Sequence, residues 1–145
     1  MALSSGTAMP ARAQMPVPPS PEAAEIAACL CLQRAVEALG TAMADRERAY
    51  EASRREVADL DVQLQNSRMV LNVEDPAAVA QFRQLLDRRD VAQRYSSGTL
   101  FAQYQEAVMR YNERVAEYNA RCADRPRNPI LLNQVRATLV CPPLP

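Results

Sequence analysis

The sequence predicts an all-α fold: a long antiparallel coiled-coil helical hairpin with a short third, C-terminal helix at its base, stapled by disulfides. Three observations lead there. The prolines cluster at the two ends of the chain, the apolar residues of the first half repeat every seven positions, and four cysteines fall where the base of a hairpin would lie.

Proline placement defines the elements. Of 11 prolines, only Pro76 lies between Pro21 and Pro126, so residues 22–75 and 77–125 form two long proline-free tracts. Proline breaks a helix interior but suits its first position. Ser20-Pro21-Glu22 therefore reads as an N-cap, a proline at the first helical position and an acid at the positive helix end. Asp75-Pro76 repeats the arrangement, and Asn72 between the tracts tolerates the left-handed conformation that closes a helix. So short a connection makes the two helices antiparallel neighbours. At 1.5 Å per residue each would be roughly 70–75 Å long.

Apolar spacing names the partner of each helix. Cys29, Val36, Met43, Tyr50, Val57, Leu64 and Leu71 recur every seven residues, the signature of a coiled-coil seam. The companion positions Leu32, Leu39, Arg46, Ser53, Leu60 and Ser67 turn polar towards the middle, so the middle of the rod is expected to be its weakest part. Ala35, Ala42 and Ala49 flank the seam and allow close helix approach. In the second tract, Phe101, Tyr104, Val108, Tyr111, Val115, Tyr118 and Cys122 step by three and four. Upstream the pattern is Val79, Phe82, Leu86 and then Leu100, one residue out of phase with the residues that follow. A skip, bend or break is expected at "YSSGTL", where Ser96, Ser97 and Gly98 lower helix propensity. Downstream, Asn128 and Pro129 open a short helix expected at 129–140, with Leu131, Leu132, Val135 and Leu139 on one face. The organisation is thus a leader at 1–20, a hairpin at 21–123 and a tail at 124–145.

The motif "CLC" poses a geometric question, since a helix turns Cys29 and Cys31 about 200° apart. With the turn centred between residues 73 and 74, Cys29 lies level with Tyr118, one helical turn from Cys122. Cys31 faces outward, towards the third helix and Cys141. The expected pairs are Cys29–Cys122 and Cys31–Cys141. The swapped pairing, Cys31–Cys122 with Cys29–Cys141, comes second, and a strained Cys29–Cys31 ring last.

Composition narrows the function classes. Seventeen basic residues, all arginine, balance 17 acids, and nothing resembles the footprint of a nucleic-acid binder. The chain has no histidine, so the commonest general base and the commonest metal ligand are absent. No nucleophile–base pair, phosphate-binding glycine loop or zinc spacing occurs, and the reading is a non-enzyme without cofactor or metal. The longest apolar run, "IAACLCL", is far shorter than a membrane span, so no transmembrane segment is expected. Tyr104, Tyr111 and Tyr118 read as core residues. Glu51–Arg55, Asp90–Arg94 and Glu106–Arg110 read as helix-supporting pairs four apart.

The remaining expectations concern place and partner. Ala11-Arg12-Ala13 before Gln14 has the pattern of a signal-peptidase site, read as the remnant of a signal peptide cleaved near 13/14 rather than a disordered leader with a chance match. Four cysteines agree with an oxidising compartment. The expected function is a structural or adaptor rod of a bacterial periplasm or cell envelope, engaging a protein partner, with oligomerisation open to it. Met69, Val70, Val73 and Val79, at the hairpin tip, are the expected partner contacts; the competing reading makes the tip a hydrophobic plug. The alternatives are a periplasmic holdase-type chaperone and a soft-metal (Cu) carrier using the C-x-C cysteines, with Met43 as a thioether ligand.

Overall fold

A computed structural model describes residues 17–144. Over that range the chain is helical without strands, and four α-helices and one π-helical turn make a hairpin with a small helix at its base. Helix α1 is Pro21–Val70, a single run of 50 residues. The Ser20 hydroxyl accepts the amide N–H of Ala23, so the cap and the first-turn proline start the helix as the sequence implies. The return arm comprises α2 (Pro76–Arg94), a π-helical turn (Tyr95–Leu100) and α3 (Phe101–Arg121). Helix α4, Pro129–Thr138, follows a short turn in which Asp124 takes a positive φ of 55°. The Asp75 carboxylate accepts the Ala77 N–H, and the Asn128 amide oxygen accepts from Ile130 and Leu131.

Helix α1 is the spine of the packing. It lies along α2, the π turn and α3 in succession, and α4 lies against α1. Among the described residues the seam contains few buried side chains, in two groups. Ile26, Cys29, Leu32, Cys122 and Val135 lie at the base, and Ser53, Val57, Leu60, Ser96 and Leu100 lie midway. The middle is therefore not thin. Ser53 and Ser96 are small enough to sit inside the seam, Ser96 with only 2% exposure, and the small side chains let the aliphatic neighbours close over them. Arg46 does not enter the seam; it stays exposed and donates to the Gln103 side chain across the hairpin at 2.9 Å.

The π turn occupies the expected skip, Tyr95–Leu100. Its physical cause lies in the burial pattern. Ser96 and Leu100 are buried and Tyr104 is half-buried, so the seam advances in successive steps of four. Each step of four overshoots a full α-helical turn by about 40°. A π turn takes up the surplus residue without bending the chain away from its partner. The surplus residue shortens the return arm by about 1.5 Å relative to a continuous α-helix of the same residues.

Three side chains differ from the expected phase. Leu85 is half-buried and Leu86 exposed, because the seam on α2 runs through Phe82, Leu85 and Arg89. Leu100 is buried, leaving Phe101 at the surface, where its ring packs 5.3 Å from that of Tyr50. Tyr104, Tyr111 and Tyr118 are all half-buried, with Tyr104 stacked on Tyr50 at 6.2 Å. The ion pairs also rearrange. Glu51 meets Arg54 rather than Arg55, and Asp90 meets Arg89, which itself reaches across to Asp61 at 2.7 Å. Glu106–Arg110 forms as expected, at 4.0 Å.

Averaged hydropathy adds a feature that the uninterrupted runs do not display. Helix α1 contains an 18-residue window with a mean hydropathy of 1.3, long and apolar enough by composition to cross a membrane. Alanines and cysteines raise that average around the few charges that break the run.

Two glycines probe the packing between the arms. A Cβ at Gly98 would meet nothing within 4 Å, whereas one at Gly40 would stand 3.3 Å from the Tyr111 ring. Gly98→Ala should raise the melting temperature, by a stabilisation of up to about 1 kcal/mol from helix propensity. Gly40→Ala should give no such gain, because the tyrosine ring has to move. Deleting Gly98 removes the surplus residue, so a continuous α-helix should then join α2 to α3 with the seam still against α1, and the melting temperature should not fall. Thermal melts by circular dichroism report all three.

Candidate functional site

Two ends of the rod carry the residues singled out by sequence. At the base, Cys29 bonds to Cys122 and Cys31 to Cys141, with Cα separations of 5.6 and 5.3 Å. All four cysteines are consumed. The inner bond is buried with Leu32, and Tyr118 packs against that cluster. The outer bond is half-buried and ties the tail after α4 to the opposite face of α1. The "CLC" spacing thus lets one helix be tied on two sides, to α3 on one and to the tail on the other.

Charged groups frame the inner bond. Arg121 donates two hydrogen bonds to the Glu25 carboxylate, at 2.9 and 3.0 Å, linking the first turns of α1 to the last turn of α3. The hydrogen bond from Arg121 holds the Glu25 carboxyl below the usual carboxylate range, helped by the charges of Arg121, Arg127 and Arg125 against partial desolvation. The same bond pushes Arg121 up. Arg127 also donates to the Cys29 sulfur at 3.2 Å. Sequence reading missed this cluster, because Glu25 and Arg121 are 96 residues apart and only the register of the hairpin brings them together.

An apolar cleft of about 630 Å³ opens beside the outer disulfide, floored by Ala27, Ala28, Ala35 and Ala38 and walled by Pro142, Pro143 and Leu144. Among the described residues, no group of three or more potential metal-binding side chains forms. Metal binding through Cys29 and Cys31 therefore requires reduction of both disulfides first.

The tip has a different character. Asn72 and Asp75 close the turn, with the Asp75 N–H donating to the Asn72 carbonyl and the Glu74 N–H to the Asn72 side chain. Met69, Val70 and Val73 point into solvent with 78%, 82% and 75% exposure. Val79 is half-buried, as is Leu71, and these two seal the end of the seam. The four expected tip residues are therefore split by the fold: three form an exposed apolar end and one belongs to the packing. The Ala11-x-Ala13 motif and its cleavage position lie outside the described residues.

Comparison with protein-family models, with curated proteins and with solved structures finds no match for this chain.

The two disulfides should differ in their effect on stability. Replacing Cys29 and Cys122 together by serine should lower the melting temperature strongly; on the chain-entropy model, opening a loop of 93 residues costs up to about 4–5 kcal/mol. Replacing Cys31 and Cys141 should instead release α4, seen as faster amide exchange over 129–138, while the hairpin melts nearly as before. Equal losses from the two double replacements would mean that α4 is integral to the hairpin.

Proposed function

We propose that this chain is a non-enzymatic structural or adaptor protein of a bacterial periplasm or cell envelope, a rigid rod that engages a protein partner through its tip. The observation that carries the reading is the exposure of Met69, Val70 and Val73 at the end of a hairpin whose opposite end is covalently fastened. A plug would bury these side chains. Leu71 and Val79 already close the seam, which supports a contact surface. Apolar residues concentrated at one exposed end are characteristic of interaction sites.

Two further features support the reading. Two disulfides in a chain of this size are compatible with an oxidising, exported location. The rod also has a stiff long axis, since α1 runs unbroken for 50 residues. A rod fixed at its base and apolar at its tip suits a spacer or docking arm.

The docking reading is tested by contrasting two substitutions. Val73→Asp should leave helicity and melting within about half a kcal/mol of the parent, as surface changes usually do, while reducing capture of the envelope partner. Leu71→Asp should reduce both stability and capture, because Leu71 closes the seam. If Val73→Asp destabilises as much as Leu71→Asp, the tip is structural and the docking reading fails.

Export is tested separately. Expressed in its host with any upstream codons, the protein should be recovered outside the cytoplasm with a mature N-terminus at or near Gln14 and no free thiol. Cytoplasmic recovery with Met1 intact and reduced cysteines would overturn the assignment of compartment.

A further inference from the structure

A second surface lies on one flank of the rod, below the tip. There α1 and α2 leave a groove of about 520 Å³ whose apolar centre is formed by Val62, Leu64, Phe82 and Leu86. Val62 is 55% exposed and Leu86 38%, although both are large aliphatic side chains beside a seam that does not use them. The charges bordering this centre are segregated along the rod. Arg68 lies at the tipward end, and Asp61, Arg89 and Asp90 at the baseward end. Two carboxylates against one guanidinium give the baseward end a net negative charge, since Arg89 pairs with both Asp61 and Asp90.

The spacing of these groups has a particular symmetry. The Asp61–Arg89 bond fixes the level of α1 against α2, which places Leu64 and Leu86 at nearly the same height. Arg68 lies four residues to one side of that height and Asp90 four to the other, each about 6 Å away along the axis. A groove that is positive at one end, negative at the other and apolar between is complementary to itself after a half-turn. A two-fold axis through the Leu64–Leu86 level sets Arg68 of one chain against Asp90 of the other, twice, with Val62 and Leu86 stacked between. The groove on the opposite flank lacks this property. It is lined by Ser67, Val70, Gln81 and Leu85, with Arg88 as its sole charged group, so a second copy there meets no opposite charge.

We propose that this flank is a homodimer interface, in which two rods pack antiparallel through their distal halves as a four-helix bundle. An isologous contact of this kind requires a self-complementary patch, which the groove supplies. Closing it covers the open side of a two-helix seam with apolar residues of a second copy. The stapled bases then lie at opposite ends of the assembly. The inference does not rest on tip docking, since Val73 belongs to the turn and not to the groove.

The test uses the full oxidised chain and sedimentation equilibrium. The parent chain should be a dimer, and Leu86→Asp a monomer with unchanged helicity by circular dichroism. Arg68→Asp and Asp90→Arg, each alone, should weaken association about tenfold or more, since each sets like charges together at two symmetric contacts. Mixing these two variants should restore association, as a heterodimer in which one contact keeps Arg68 against Asp90 and the other reverses the two charges, so that both symmetric contacts join opposite charges. That recovery cannot arise from an effect on folding of either chain. A parent chain that stays monomeric overturns the proposal and assigns the flank to a different occupant. A dimer indifferent to Leu86→Asp, or charge variants that fail to rescue one another on mixing, overturns it as well.

Discussion

The Cys29–Cys122 bond is the constraint on which the rest of the molecule depends. A two-helix seam buries little, and among the described residues only eight apolar side chains are buried. Such a seam specifies its register weakly, because one heptad step along it resembles the next. The bond removes that freedom at the end farthest from the turn. With the turn capped by Asn72 and Asp75 at one end and the sulfurs joined at the other, everything between has one alignment. The Glu25–Arg121 and Asp61–Arg89 pairs, both between arms, are available only in that alignment. They are exposed and individually weak, so they report the register more than they impose it.

The π turn follows from the same constraint. The return arm has one residue more than a continuous α-helix could fit between the capped turn and Cys122 while keeping its apolar side inward. Placing the surplus at Tyr95–Leu100 uses the residues with the lowest helix propensity, Ser96, Ser97 and Gly98. The cost is further offset because Ser96 is small and buried where the arms approach. A bulky residue there would hold the arms apart and expose Val57 and Leu60.

Stapling at one end and exposure at the other give the rod its polarity of roles. The base is fastened by its own packing, through two disulfides, a helix laid on α1 and three arginines around the Glu25 carboxylate, and leaves an apolar cleft open beside the outer disulfide. The distal half leaves apolar surface in two distinct places, the turn itself and one flank. The turn offers isolated side chains projecting from a narrow end, suited to insertion into a partner. The flank offers a long groove with segregated charge, suited to a second rod. Both surfaces exist because a hairpin of two helices has no further layer to cover them.

Much of this was determined by sequence alone. Proline positions bounded the helices, because a missing N–H and a fixed φ act locally, and the caps Ser20, Asp75 and Asn128 act within three residues. The short connection implied the antiparallel pairing, the seven-residue repeat implied the seam, and the outward turn of Cys31 implied the disulfide partners. The skip at "YSSGTL" was visible as a change of phase. Tertiary structure decided whatever depends on position across the hairpin. Leu85 displaces Leu86 from the seam, Leu100 displaces Phe101, and Ser53 and Ser96 become buried rather than weak points, because burial on a helix is decided by the neighbour's surface. Met69, Val70 and Val73 separate from Val79 for the same reason: adjacent residues at a turn face either the seam or water, and spacing alone does not say which. The pairing of Glu25 with Arg121, and the charge segregation between Arg68 and Asp90, arise only when residues distant in the chain are set side by side. Local rules wrote the elements, and the register of two long helices assigned their side chains.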